Sequence, residues 1–288
     1  MSVPSESRAE ARSLETVAFM CGAGHSGSTL FGLMLGAHPR VFYAGEAKKS
    51  LFLGDESKPR KKRVCKLCGE SCPVWSRVPP ADPDVHATLA RLTGRPVVVD
   101  SSKDIAWIER HQSVLSARGV AVRLFFVQRD GRAVVASRLR KYPETSAAEH
   151  ARAWVTQLEA CRALASRFPG GALVVRYESL CLRPAEEIAR AAAHLGLEVC
   201  PEMTEPWLAE QHPIGGNSGT QWLLTRAPAA GGERPAVLGL GERTRAYYAE
   251  HPRAIVLDER WRRELAPATV AEIEGVLGEA NRGIGWPG

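Results

Sequence analysis

The 288-residue sequence contains no apolar run long enough to cross a bilayer, so it offers no membrane span. Its first residues, MSVPSESRAEARSLE, are polar and charged and lack the apolar segment of a secretory signal, which leads to the expectation of a cytoplasmic protein with a mobile leader over residues 1–15. No internal repeat is visible, which removes solenoids and propellers. Seven cysteines, an odd number in a chain this long, do not make a secreted disulfide scaffold. One further absence concerns a single residue. The stretch Gly22-x4-Gly27-Ser28-Thr29 has the spacing of a nucleotide-triphosphate loop, but Ser28 stands where the lysine serving the β- and γ-phosphates belongs. A ligand whose 5′ end carries something other than a triphosphate follows from that replacement.

What the chain does contain is ordinary for a soluble globular protein: 44% hydrophobic and 24% charged residues. A net charge of +6 and a sequence pI near 9.0 favour an anionic partner without naming it. The most informative stretch is TVAFMCGAGHSGSTLFGLMLGAHP. An apolar strand from Val17 to Cys21 runs into a glycine-rich loop, and from Ser28 the spacing of Leu30, Leu33 and Met34 is helical until Pro39 stops it. Glycines at 22, 24 and 27 permit a tight turn and close approach to an anion, towards which the new helix points its free N–H groups and positive dipole end.

Strand signals recur at Val41–Tyr43, Pro96–Asp100, Val122–Val127 and Ala172–Arg176. They alternate with helices expected near His86–Leu92, Ile105–Ala117, from Arg132, Ala147–Arg167 and Pro184–Leu195. Alternation of this kind predicts an α/β fold with a parallel central sheet flanked by helices on both faces, of the phosphate-loop nucleotide-binding type. The expected organisation is a single domain over residues 1–288. Residues 16–53 and 83–200 form its core, 54–82 a basic cysteine-containing insertion, and 201–288 a C-terminal cap with HPIGGNSGTQW as a loop and helix near Glu259–Glu279. In open parallel sheets ligands bind beyond the carboxyl ends of the strands. Those ends carry the glycine loop, Glu46, Lys103, Arg129 in QRDGR, and Tyr177. Taken singly, each charge is ordinarily a solvated surface group; together they suit a nucleotide with separated anionic groups.

These residues also carry a resemblance. GAGHSGSTL resembles the 5′-phosphosulfate loop of sulfotransferases that use 3′-phosphoadenosine 5′-phosphosulfate (PAPS), QRDGRAVVAS resembles their 3′-phosphate motif, and VVRYESLCLRPAEEIARAAAHLGL the strand and helix that follow. The resemblance implies that Gly24, His25, Ser26, Gly27, Ser28 and Thr29 hold the 5′-phosphosulfate, that Arg129 and Ser137 hold the 3′-phosphate, and that Tyr177 lies near the adenine. LGAHPRVFYAGEAKKS is similar to the tyrosylprotein branch, which implies Glu46 as catalytic base and Lys103 as a contact of the transferring sulfuryl group. Where many relatives have arginine or lysine this chain has His25, so either a protonated imidazole supplies the charge or backbone donors suffice. The implied reaction passes a sulfuryl group from PAPS to a hydroxyl of a small molecule, sugar or lipid, with Glu46, Lys103 and His25 as catalytic residues. Should the base lie elsewhere, His212 is the first histidine to consider.

Two other classes stand beside it. A nucleotide kinase could use Val97-Val98-Val99-Asp100 as a magnesium-binding strand end, and a nucleic-acid module could use the basic run Lys58, Arg60, Lys61, Lys62, Arg63 and Lys66. The missing loop lysine opposes the first, and the absence of interleaved aromatics opposes the second. Within that arm, Cys65-x2-Cys68-x3-Cys72 has zinc-knuckle spacing but only three ligands, with His86 the nearest histidine in sequence for a fourth. Zinc and a disulfide or thiol-packed loop remain alternatives for it.

Overall fold

The computed structural model describes residues 13–225, 237–250 and 252–284; most of the expected leader and residues 226–236 of the expected cap lie outside the described residues. Five strands form one parallel sheet: β1 (Thr16–Cys21), β2 (Val41–Gly45), β3 (Val97–Asp100), β4 (Ala121–Gln128) and β5 (Ala172–Arg176). Their order is β2-β3-β1-β4-β5, so the first connections run to one side of β1 and the later ones to the other. Thr16 pairs with Val97 on one side and Ala121 on the other, and all five carboxyl ends open on one edge.

The reason β1 reads as an unbroken apolar run is that both of its faces are covered. Val17, Phe19 and Cys21 join a core with Leu89, Ile108, Trp154 and Ile273 from the helices Val85–Thr93, Ile105–Ala117, Ala147–Arg167 and Pro267–Leu277. Ala18 and Met20 point the other way, into a second core with Phe31, Leu33 and Met34 from the helix Ser28–Gly36 and Ile188 from Pro184–Leu195. Every residue of Ser28–Gly36 is buried, so this helix has no solvent face and its burial outlasts the one-sided stripe that its spacing suggests. The long helix Ala147–Arg167 begins with a reciprocal capping box between Ser146 and Glu149, worth about 1 kcal/mol.

Tyr177–Leu182 is helical straight out of β5. One expectation is corrected: HPIGGNSGTQW is not all loop, since a helix, Ser218–Thr225, begins inside it. The stretch reads as a loop because its residues are turn formers, yet Asn217 Oδ1 accepts from Thr220 N at 3.0 Å and caps the helix. The basic arm packs against the core. Val74, Trp75 and Val78 are buried in the first core, and Cys65 makes a β-bridge to Ile214. Arg60 and Arg63 pair with Glu70, while Lys66 is buried with its ammonium on Gly216 O and Ser218 Oγ, which removes charge from the face a nucleic acid would need. Among the described residues no helix is long and apolar enough to cross a membrane.

Candidate active site

A cavity of about 360 Å³ opens at the carboxyl edge of the sheet. Gly24, His25, Gly27, Ser28, Thr29, Glu46, Lys103, Arg129, Ser137 and Tyr177 all line it, so ten of the eleven site residues expected from sequence converge there. Ser26 is the exception: it does not line the cavity, and its Oγ is buried without a hydrogen-bond partner. The loop is held from beneath. Gly27 has φ of 88°, and a Cβ there would stand 2.4 Å from the Tyr177 ring, so only glycine lets the loop rest on that tyrosine. Tyr177 thus buttresses the loop, while its hydroxyl accepts from Asp258 N and its ring lies 4.2 Å from the Arg129 guanidinium carbon.

At the end of β4, Arg129 donates through Nη1 to the His25 carbonyl at 3.1 Å and pairs with Asp258 at 3.3 Å. Its Nε is buried without a partner. Arg260 and Arg140 also face the Asp258 carboxylate, and Arg140 pairs more closely with Glu264, so two anions serve three guanidiniums and a net positive charge remains. Ser137 Oγ lies 2.9 Å from His25 Nδ1. Burial, followed by the charges of Lys141, Arg138, Arg129 and Lys103, drives the His25 imidazole down to about 3. Of the two options for His25, this downward push in the ligand-free cavity favours backbone donors over a protonated imidazole, with lysine and arginine supplying the surrounding charge.

The ends of β2 and β3 carry the second cluster. Glu46 follows β2 directly and sits 2.6 Å from Lys49 Nζ and 3.7 Å from Lys103 Nζ. Lys103 in turn donates to Ser28 Oγ at 3.2 Å and to Ser101 O at 2.8 Å. Burial pushes the Glu46 carboxyl up, but the Lys103 and Lys49 ammoniums outweigh it and hold the group below the usual glutamate value. Among the described residues three non-glycine positions have left-handed backbone, and two of them, His25 (φ 71°) and Lys103 (φ 60°), line this cavity. Asp100 braces both strand ends. Fully buried, it accepts from Ala47 N, Ser102 N, Trp107 Nε1 at 2.8 Å and His86 at 3.1 Å. A carboxylate so saturated has no lone pair to offer magnesium, which removes the kinase reading of this strand end.

Sequence reasoning missed a third layer. Asn217 N donates to Thr29 Oγ1 at 3.0 Å, and Gly216, Thr220, Tyr247, Asp258 and Arg260 line the cavity from the C-terminal part of the chain. No spacing in the sequence links these residues to a loop nearly 200 positions away. Lys141 was within reach: it lies one helical turn after Ser137 in the helix Gly131–Lys141 and shares its face.

The cysteines gather beside the site. Cys65, Cys68, Cys72 and His212 present ligand atoms that all lie within 4.8 Å of one another. His212 therefore belongs to this cluster and not to the cavity, which ends its candidacy as a base. His86 belongs to Asp100 and is no fourth cysteine partner.

A phosphate-loop α/β sheet with cationic strand ends is the class that this geometry defines. No family model and no curated protein sequence matches the chain. Its fold is similar to that of the sulfotransferase domain from the Synechococcus PCC 7002 olefin synthase, at TM-score 0.56 and 17% identity over 93% of this chain and 97% of that one. A mouse sulfotransferase complexed with PAP is similar at TM-score 0.51 and 12% identity over 94% of this chain and 88% of that one. The chain has the sulfotransferase fold.

Proposed function

We propose that the protein transfers the sulfuryl group of PAPS to an acceptor hydroxyl on a small molecule, sugar or lipid. The observation that carries this reading is the Glu46–Lys103–Ser28 chain, which joins an ionised carboxylate to a cation at the N-terminus of the phosphate-loop helix. The cavity also fits a doubly anionic nucleotide. Its loop and Lys103 offer donors at one end, and Arg129 with its unpartnered Nε, Ser137 and Lys141 offer them at the other.

Glu46 takes the proton of the acceptor hydroxyl as the new sulfur–oxygen bond forms. The bond from sulfur to the 5′-phosphate oxygen breaks in line, and adenosine 3′,5′-bisphosphate leaves. Lys103, Ser28 and the loop N–H groups stabilise the charge that grows on the sulfuryl and leaving oxygens, the same positioning and electrostatics that serve phosphoryl transfer. Lys49 holds the free carboxylate until the acceptor arrives. The cysteine–histidine quartet is outside the cavity and has no part in the transfer itself.

Glu46→Gln keeps shape and removes basicity. Turnover with saturating acceptor is expected to fall about 100- to 10,000-fold while nucleotide affinity is retained, measured by release of adenosine 3′,5′-bisphosphate and by calorimetry. Turnover within about threefold of the parent would remove Glu46 from the role of base.

A further inference from the structure

The cysteine arm has chemistry that sulfuryl transfer does not use. Cys65 and Cys72 are completely buried, Cys68 is half-buried, and all three are free thiols. A loop whose only purpose was packing would not bring a histidine from 140 positions away to the same point. Yet Cys68 Sγ lies 3.2 Å from His212 Nδ1, and the four ligand atoms fall inside 4.8 Å, the span of a tetrahedral site. The rest of the histidine is arranged as a metal ligand's is. Its Nε2 faces Glu210 Oε1 at 3.3 Å, the carboxylate partner that fixes the tautomer of a ligating imidazole, and its backbone carbonyl accepts from Trp75 Nε1.

We infer that Cys65, Cys68, Cys72 and His212 bind one zinc ion as a closed structural site. Three thiolates and a neutral imidazole are the Cys₃His donor set of structural zinc, whose tetrahedral preference matches four mutually close soft ligands and leaves no open position for a substrate. Binding exchanges three thiol protons for Zn²⁺, and the resulting net negative charge falls within a basic arm that includes Arg63 and Lys66.

The position of the site gives it a consequence for the cavity, and this part rests on the sulfotransferase reading. From His212 the chain runs along the end of β2 to the phosphate loop. Ile214 N donates to Ala44 O at 2.9 Å, and Ile214 O accepts from Glu46 N at 2.8 Å. Ile214 also bridges to Cys65, and Asn217 N reaches Thr29 Oγ1 at 3.0 Å. One ion at residue 212 thus anchors a strap that fixes the backbone of Glu46 and roofs Thr29. Zinc is a positioning element for the base, without contact to the reacting atoms.

Elemental analysis of the full-length protein, expressed with zinc and purified without chelator, should give about one zinc per chain. His212→Ala and Cys72→Ser should each fall below about a tenth of an equivalent, while His212→Cys, which keeps a fourth ligand, should retain the metal. Cobalt(II) exchanged into the parent should show the thiolate charge-transfer and intense d–d bands of a tetrahedral sulfur site. Chelated protein should melt at lower temperature and lose acceptor turnover by a larger factor than its affinity for adenosine 3′,5′-bisphosphate, since Arg129 is not on the strap and the strap's hydrogen bond to the phosphate loop is at Thr29. A parent with less than a tenth of an equivalent of any metal, a disulfide among the three cysteines, or metal content unchanged in both loss variants would overturn the site. Metal content does not depend on any sulfuryl-transfer activity, so the two readings fail separately.

Discussion

A side chain added at Gly24 and one added at Gly27 meet different surroundings. At Gly27 the Cβ would collide with the Tyr177 ring, whereas at Gly24 nothing beyond its chain neighbours lies within 4 Å and the residue lines the cavity. Gly24→Leu should therefore keep stability within about 0.5 kcal/mol of the parent and lose affinity for adenosine 3′,5′-bisphosphate by about tenfold or more. Denaturation and calorimetry on the same preparation read the two effects, and unchanged affinity would place the anion elsewhere. His25 gives a second outcome at this scale. Its folded value is near 3 and its unfolded value near 6.5, so between those limits the unfolded chain binds a proton that the folded chain refuses. Stability falls as the pH drops through that window. His25→Asn removes the group, so its loss of stability between a pH of about 7 and about 5 should be smaller than the parent's, measured by urea midpoints. Parallel curves would mean that the imidazole charges in the folded state. At this scale the sequence was legible where a residue follows a strong apolar strand, as Arg129 and Lys103 do, and silent on the protonation of His25, which depends first on burial and then on four cations from separate segments.

The segment 212–217 decides more than its length suggests. It is irregular, yet it pairs with the end of β2, and Gly215 in it has φ of 71° with its would-be Cβ 2.7 Å from Lys49 Nζ and 2.9 Å from Glu46 Oε2. Those two atoms are ends of flexible side chains, so Gly215→Ala should fold at a cost of about 1–3 kcal/mol for the left-handed backbone. Its main effect should be displacement of the Lys49–Glu46 pair, lowering turnover about 10- to 100-fold at unchanged nucleotide affinity. Equal losses of turnover and nucleotide binding would show that the strap shapes the loop and not the base. The strands and long helices were readable because two-sided burial writes continuous apolar runs and because caps such as Ser146 and Gly196 mark the ends. The strap and the helix Ser218–Thr225 were not, since turn-forming residues stand where tertiary contacts, and not local propensity, set the conformation.

At the scale of the molecule, the parallel sheet gathers one set of strand ends on one edge, and the C-terminal layer closes over it. The first half of that arrangement follows from alternation of strand and helix signals. The second rests on contacts such as Asn217 with Thr29 and Arg129 with Asp258, which join segments more than a hundred residues apart and leave no periodic trace. The net charge of +6 gains a location from the structure: the guanidiniums around Asp258, together with Lys103 and Lys141, concentrate positive charge at the cavity. That cavity's reading as a PAPS site is tested most directly by calorimetric titration with adenosine 3′,5′-bisphosphate and with its 3′-dephospho analogue. The bisphosphate should bind about 10- to 150-fold more tightly, the value of one charged hydrogen-bonding partner set, and Arg129→Ala should abolish that difference. Equal affinity for the two nucleotides in the parent, or tighter binding of ATP with magnesium, would contradict it.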